Sequence, residues 1–175
     1  YRQYQQGQLD IDEYLSFALG PMAGMTPETL SALQDKFLKK HVEPILLDAA
    51  FDLLQAHRVK GDTLIIITAT NTLVTQPIAQ RLGVEYLIGC EAELKDGRYT
   101  GRPEGVPSFG EGKVQRIKTW CAEHQTSLEG AVFYSDSHND LPLLREVTQA
   151  IAVDPDDLLR AEAQQCGWEI ISLRP

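Results

Sequence analysis

Two aspartates, Asp136 and Asp140, lie four positions apart in the stretch FYSDSHNDLPLL (residues 133–144), directly after an apolar run. One of them has an ordinary explanation, because Asp140 could cap a helix that has Pro142 in its first turn. Capping does not account for Asp136. Two carboxylates this close repel by roughly 1 kcal/mol in water, and a bound cation converts that repulsion into attraction. The pair therefore indicates a site for Mg²⁺, a hard cation that takes oxygen ligands.

A second polar stretch, Thr68-Ala69-Thr70-Asn71, follows the β-branched run TLIII and precedes a helical pattern. Hydroxyl groups and free backbone N–H groups at the start of a helix can bind an anion, phosphate above all. The alternative is that Thr70 or Asn71 only caps the helix. Both interpretations stay open at this stage.

Three further residues could take part in the same chemistry. Lys113 begins a long helical pattern, where its charge slightly opposes the helix dipole, so it is either solvated or faces an anionic cluster. Asn139 is a candidate for hydrogen-bonding a ligand. His138, a single histidine in a polar loop, is interpreted as a bystander.

The elements that would position these residues alternate along the chain. After Pro44, helical patterns such as GKVQRIKTWCAEHQ alternate with buried strand patterns such as TLIIITAT and GAVFYSDS. The pair Asp96-Gly97 predicts a hairpin turn. This alternation predicts an α/β fold with a doubly wound, mostly parallel, Rossmann-like sheet, whose ligands bind at the carboxyl ends of the strands.

The first part of the chain differs from the rest. Residues 1–44 contain no convincing strand and carry two helical patterns separated by GPMAG, the second with Thr26 as its predicted N-cap. We therefore predict a small helical module at 1–44 and an α/β core at 45–175.

Composition excludes several classes of protein. A net charge of −9 and a pI near 4.9 argue against nucleic acid as a partner. No apolar run is long enough to span a membrane. Cys90, Cys121 and Cys166 share no metal-ligand spacing and are interpreted as reduced, buried thiols of a cytoplasmic protein.

Taken in order, Thr68 after a β-run, Lys113 at a helix start and SDSHND after another β-run resemble the haloacid dehalogenase superfamily, most closely its phosphoserine-phosphatase-like branch (subfamily IB). The resemblance implies a Mg²⁺-dependent phosphatase with a helical cap, acting on a small phosphorylated metabolite such as phosphoserine or histidinol phosphate.

The resemblance also implies a role for each matching position. Thr68 and Lys113 would be catalytic, contacting the transferred phosphoryl group and neutralising its charge. Ala69, Thr70, Asn71 and Asn139 would lie near the phosphate or substrate. Asp136 and Asp140 would be the metal residues, with Asp140 acting through water. Arg2, Arg58, Arg98 and Arg102 are further available cations, and the sequence places none of them in the site.

One part of the family pattern is missing. The family's nucleophile is the first aspartate of a D-x-D motif at the end of a central strand, and the only D-x-D here is Asp10 and Asp12 in LDIDEY. It follows the polar stretch YRQYQQGQ, which cannot be a buried strand. We therefore expect the nucleophile, the general acid and the central strand to lie upstream of Tyr1.

Two other interpretations were weighed against the phosphatase. The chain could be a non-catalytic module, or a truncated inactive form, that binds phosphate or metal without turnover. The presence of Thr68, Lys113, Asp136 and Asp140 together argues against decay of the site. A nucleotide-binding Rossmann domain is excluded by the lack of a G-x-G-x-x-G after any strand.

Overall fold

The computed structural model describes residues 9–175. The helices are α1 (Ile11–Leu19), α2 (Pro27–Phe37), α3 (Asp48–Lys60), α4 (Thr72–Leu82), α5 (Glu111–Glu123), α6 (Leu141–Leu144) and α7 (Asp157–Cys166). The strands are β1 (Ile65–Asn71), β2 (Tyr86–Lys95), β3 (Arg98–Glu104), β4 (Val132–Ser135), β5 (Gln149–Val153) and β6 (Glu169–Ile171). The chain divides into two compact units, with the boundary between Ser108 and Phe109.

The first unit contains a mixed sheet in the order β1-β2-β3. Strands β1 and β2 are parallel, and β2 and β3 form an antiparallel hairpin in which Lys95 pairs with Arg98. Asp96 and Gly97 connect them, with φ angles of 51° and 73°. Positive φ at both central residues is typical of the type I′ turn, so the predicted hairpin turn is confirmed.

The pairing of β1 with β2 is irregular at its carboxyl end. Ile67 pairs with Ile88, and the next pair is Asn71 with Cys90. Three residues of β1 therefore lie between these two pairs, where β2 has only one. Residues 68–70 therefore form a bulge, which locally bends a strand away from its partner. This is the polar stretch that the sequence singles out.

The helical segment that precedes β1 packs on this sheet. Thr26 caps α2 by accepting a hydrogen bond from the Thr29 N–H at 3.3 Å, as predicted. GPMAG forms a short 3₁₀ turn over Gly20–Met22. Leu19 and Leu30 form one buried cluster with Leu73 of α4. Burial of these apolar side chains stabilises the contact between the helical segment and α4.

A proline inside α4 creates a specific contact with α2. Pro77 has no N–H, so the carbonyl of Leu73 loses its partner within the helix. The Gln34 side chain of α2 donates to that carbonyl at 2.5 Å. A carbonyl shielded from water without a hydrogen-bond donor destabilises the folded state, and the Gln34 side chain supplies the donor here.

The second unit contains a parallel sheet in the order β4-β5-β6. Its buried cluster consists of Leu144, Ala150, Ala152, Leu159 and Ala163, contributed by α6, β5 and α7. The stretch LPLLREVTQ (residues 141–149) has a helical pattern along its length, but α6 ends at Leu144 and Gln149 already begins β5.

Among residues 9–175, β1 and β4 each lie at an edge of their sheet. The expectation of a further strand upstream of residue 1 stays a prediction, as does a module boundary at residue 44. Across the same residues, each helix is too short or too polar to cross a bilayer.

Candidate functional site

A buried ion pair lies at the centre of the candidate site in the second unit. Lys113 Nζ is 2.5 Å from Asp140 Oδ1, and the two side chains are only 6% and 11% exposed. The Ser135 hydroxyl donates to the other carboxylate oxygen, Oδ2, at 2.7 Å. Both oxygens of Asp140 are thus occupied, as a buried charge requires. Asp140 directly precedes α6, but its side chain makes no capping hydrogen bond, so helix capping is the wrong explanation for this residue.

The pair explains the position of Lys113 at the start of α5. A lysine in the first turn of a helix is unfavourable for the helix dipole, and this one is nearly buried. Its charge is compensated by Asp140, so the interpretation of Lys113 as facing an anionic group is supported over solvation.

Hydrogen bonds between residues two positions apart shape the loop that follows β4. Ser135 Oγ accepts from the Ser137 N–H at 3.1 Å. Ser137 Oγ accepts from the backbone N–H and the side-chain amide of Asn139 at 3.3 and 3.2 Å. Two serines therefore turn the chain back on itself, which brings Asp140 to Lys113.

Asp136 lies in the same loop in a different environment. Its side chain is exposed and has no hydrogen-bond or ion-pair partner within the described part of the chain. A free carboxylate next to a fully engaged one fits a cation ligand, so the donor set suits Mg²⁺ at Asp136. Residues 9–175 contain no group of three or more histidine, cysteine or acidic side chains placed to hold a metal. A cation bound at Asp136 would therefore need further ligands, including water.

His138, interpreted as a bystander, is held in place by Asp156. The Asp156 Oδ2 atom accepts from the His138 backbone N–H at 2.9 Å and pairs with its ring Nδ1 at 2.8 Å. Asp156 Oδ1 accepts from the Leu159 N–H at 2.8 Å and so caps α7. Burial raises the pKa of Asp156, but the hydrogen bonds from Leu159 and His138 outweigh it and hold the pKa below its usual value.

Asp156 is not among the residues that the sequence motifs indicate. Its only signal is a position three residues after the strand pattern AIAV and just before the helical pattern DLLRAEAQQC, which is an N-cap position. That signal predicts the cap but carries no information about the contact with His138.

In the first unit, the Thr68–Asn71 stretch lies at the bulge of β1. Asn71 caps α4 by accepting from the Val74 N–H at 3.2 Å, so the capping interpretation is confirmed for this residue. Thr68 Oγ1 accepts from the Thr70 N–H at 3.1 Å, which leaves its hydroxyl hydrogen able to donate elsewhere. Thr68, Ala69 and Thr70 as phosphate contacts stay predictions.

Close backbone packing supports this bulge. A Cβ atom at Gly89 would lie 2.9 Å from Thr72 Cγ2 and 3.0 Å from the Thr70 carbonyl oxygen. Cys90 Sγ donates to the Ala69 carbonyl at 3.2 Å. Position 89 therefore requires glycine for the bulge to approach β2.

Two of the four candidate arginines have structural partners. Arg58 donates to the Leu82 and Gly83 carbonyls at the end of α4, at 2.6 and 3.0 Å. Arg98 donates to the Gly24 carbonyl at 2.7 Å. Arg102 is exposed on β3, and Arg2 lies outside the described residues. The structure thus assigns Arg58 and Arg98 to the fold.

The three cysteines are free thiols, as expected. Cys90 and Cys121 are buried, but the expectation of burial is wrong for Cys166, which is exposed at the end of α7. Partial desolvation of the sulfur atom and the nearby Glu162 carboxylate raise the pKa of the Cys166 thiol.

Comparison with known proteins identifies the family. The sequence model for haloacid dehalogenase-like hydrolases matches residues 4–145. The chain belongs to this family. A histidinol-phosphatase from Neisseria meningitidis serogroup C (strain 8013) is 39% identical over 178 residues, covering 99% of this chain and 80% of that protein. The family assignment made from the motifs is confirmed.

Solved structures agree with this assignment. A protein of unknown function from Bordetella pertussis Tohama I is 43% identical, with a TM-score of 0.92 over 99% of this chain and 79% of its own. A phosphoserine phosphatase, solved as a phospho-aspartyl intermediate analogue, has a TM-score of 0.69 over 99% of this chain and 77% of its own. At 17% identity that likeness shows the fold alone. The α/β, Rossmann-like fold class is therefore confirmed.

The mycobacterial relatives are much longer than the matched region. This chain spans 51% to 52% of their length. The similarity to these relatives therefore concerns about half of each relative.

Proposed function

We propose that the whole protein is a Mg²⁺-dependent phosphomonoesterase of the cytoplasm that acts on a small phosphorylated metabolite. Support comes chiefly from one observation: Asp140, which is buried and paired with Lys113, lies in the same short loop as Asp136, which is exposed and has no side-chain partner among residues 9–175. The fold alone requires neither a buried lysine nor a free acidic side chain four residues before the partner of that lysine. Family membership and a relative named histidinol-phosphatase point the same way.

In this proposal each residue has a defined role. Asp136, with Asp140 acting through water, would hold Mg²⁺, which supplies charge neutralisation at the phosphate oxygens. Lys113 provides a positive charge whose position is set by Asp140. Thr68 donates its hydroxyl hydrogen to the phosphoryl group, and Ala69, Thr70, Asn71 and Asn139 lie near the substrate. Positioning and charge neutralisation provide most of the catalysis of phosphoryl transfer.

The nucleophile in this proposal is an aspartate upstream of residue 1, as the family resemblance implies. Its carboxylate attacks phosphorus, the ester P–O bond breaks, and the alcohol leaves with a proton from the general acid. Water then hydrolyses the phospho-aspartate. Asp10 does not suit this role, because its carboxylate accepts hydrogen bonds from the N–H groups of Asp12 and Glu13 and caps α1.

The test uses the full-length protein and p-nitrophenyl phosphate with Mg²⁺. We expect hydrolysis that is abolished by chelation of the metal. Asp136→Asn should lower kcat/KM by more than about a hundredfold, since loss of an outer-shell contact alone costs 10- to 100-fold. Asp157→Asn is the matched control, because Asp157 is an exposed aspartate of α7, and this variant should retain wild-type activity.

A wild-type protein without turnover would contradict the proposal and favour the non-catalytic phosphate- or metal-binding module. Full activity in Asp136→Asn would remove the metal assignment. Comparing kcat/KM for histidinol phosphate and phosphoserine then identifies the better substrate class.

A further inference from the structure

We propose that Asp156 is a positioning residue for the metal-binding loop: it fixes the backbone on both sides of Ser137 and so holds the Asp136 carboxylate ready for the cation. This inference rests on the proposed function, because it assigns the cation to Asp136. Asp156 is not one of the positions to which the family resemblance assigns a role.

Asp156 contacts the loop at two points. Its backbone N–H donates to the carbonyl of Asp136 at 2.9 Å. Its Oδ2 atom accepts from the backbone N–H of His138 at 2.9 Å and from the His138 ring at 2.8 Å. The peptide groups that follow Asp136 and precede His138 are therefore both tied to the start of α7.

Helix capping alone does not explain this arrangement. An N-cap requires one side-chain oxygen, and Oδ1 of Asp156 already supplies it to the Leu159 N–H. The second oxygen receives two donors from a single residue of the loop. A serine could cap α7 equally well, but it has no second oxygen for His138.

The environment of His138 indicates that its ring serves this contact. The side chain is 13% exposed, and its Nε2 atom is buried without a hydrogen-bond partner among the described residues. Since Asp156 is the acceptor, Nδ1 carries the hydrogen in this contact. A buried ring nitrogen without a hydrogen-bond partner is unfavourable. The hydrogen bond between Nδ1 and Asp156 explains why the ring nevertheless lies here.

The consequence concerns the free carboxylate of Asp136. Its side chain is exposed and unpaired within residues 9–175, so only the backbone can restrict where it lies. Anchoring the backbone on both sides reduces the conformational freedom that is lost when a cation binds. Outer-shell contacts of this type affect metal affinity by 10- to 100-fold when they are removed.

Three variants separate the contact from the cap. Asp156→Ser keeps an N-cap and the N–H bond to Asp136 but removes the acceptor for His138. His138→Ala removes only the ring donor, and His138→Asn restores a donor near the position of Nδ1. Asp157→Ser is the control, because it removes a negative charge from the same end of α7 at an exposed residue.

The experiment measures two quantities in the full-length protein. The first is the Mg²⁺ concentration that gives half-maximal hydrolysis of p-nitrophenyl phosphate. The second is the rise in Tm on addition of Mg²⁺, which reports binding without turnover. We expect about a tenfold higher half-saturating concentration for Asp156→Ser, a smaller increase for His138→Ala, recovery in His138→Asn and no change in Asp157→Ser. At saturating Mg²⁺ the KM for substrate should stay at its wild-type value.

Two negative results are distinguishable. An active wild-type protein whose half-saturating Mg²⁺ concentration is the same in Asp156→Ser and His138→Ala would overturn the positioning role alone. A wild-type protein with neither Mg²⁺-dependent hydrolysis nor a Mg²⁺-dependent Tm would overturn the proposed function and this inference with it. If Asp156→Ser does not fold, the pair His138→Ala and His138→Asn decides the question.

Discussion

Replacing Lys113 by methionine should destabilise the protein far more than the same replacement elsewhere on the same helix. Lys113→Met keeps the length and apolar character of the side chain but leaves the Asp140 carboxylate buried without its counter-charge. Lys118, five residues further along α5, pairs with Glu146 at 2.6 Å, and these two side chains are 55% and 42% exposed. Lys118→Met is therefore the matched control.

The expected magnitude follows from the geometry of the two pairs. At 2.5 Å and an effective dielectric constant of about 20, the attraction between Lys113 and Asp140 amounts to about 7 kcal/mol. Desolvation of both charges offsets much of this, and removing one partner of a buried pair costs about 3–5 kcal/mol. The Ser135 hydroxyl still supports Asp140, so we expect the lower end, about 3 kcal/mol. The exposed Lys118 pair should contribute less than about 1 kcal/mol.

Urea unfolding of the full-length protein measures both values. Trp120 and Trp168 lie in the same unit as the pair and provide the fluorescence signal. The double variant Lys113→Met/Asp140→Asn should lose much less free energy of unfolding than the sum of the two single variants, because it leaves no buried charge unpaired. Equal losses in Lys113→Met and Lys118→Met, or additive losses in the double variant, would refute the reasoning.

Two further predictions concern the bulge of β1 and the pH dependence of stability. Gly89→Ala should cost about 1–3 kcal/mol in urea unfolding, because its Cβ would overlap Thr72 Cγ2 and the Thr70 carbonyl; Gly20→Ala, with no atom within 4 Å of the new Cβ, should be tolerated. A hydrogen bond from Arg145 lowers the pKa of Glu162 in the folded state. The pair therefore stabilises the fold at pH values above the unfolded-state pKa of Glu162, and this stabilisation is lost as the pH falls through the folded-state pKa. Glu162→Gln should therefore be less stable than wild type near pH 7, and the difference in free energy of unfolding should shrink as the pH falls below the ordinary pKa of a glutamate; a difference independent of pH would contradict the assignment.

Much of the fold could be predicted from the sequence because its signals are local. The β-branched run before Thr68 predicts a buried strand, Asp96-Gly97 predicts a hairpin turn, and Thr26 predicts a helix start. Each signal depends on residues within a few positions of one another. The structure has a strand, a turn and a cap at these places.

The remaining features depend on contacts between distant residues. Asp156 and His138 are separated by 18 positions, so no local pattern in the loop indicates their hydrogen bond. The early end of α6 at Leu144 follows from β5 pairing with β4 from Gln149 onward. Tertiary pairing here overrides the helical pattern. For the same reason the sequence left open whether Lys113 is solvated or faces an anionic cluster, and it did not identify Asp140 as the partner of Lys113.

Pro77 limits how the helical segment of this protein can be exchanged with that of a relative. The proline frees the Leu73 carbonyl, and Gln34 of α2 is its donor. A chimera that receives α2 from another protein keeps the proline, and without a donor at position 34 it leaves a buried carbonyl unsatisfied, at about 1–3 kcal/mol. Positions 34 and 77 should therefore be transferred together in any such chimera. A selection from a library randomised at both positions should recover hydrogen-bond donors at 34 wherever proline is kept at 77.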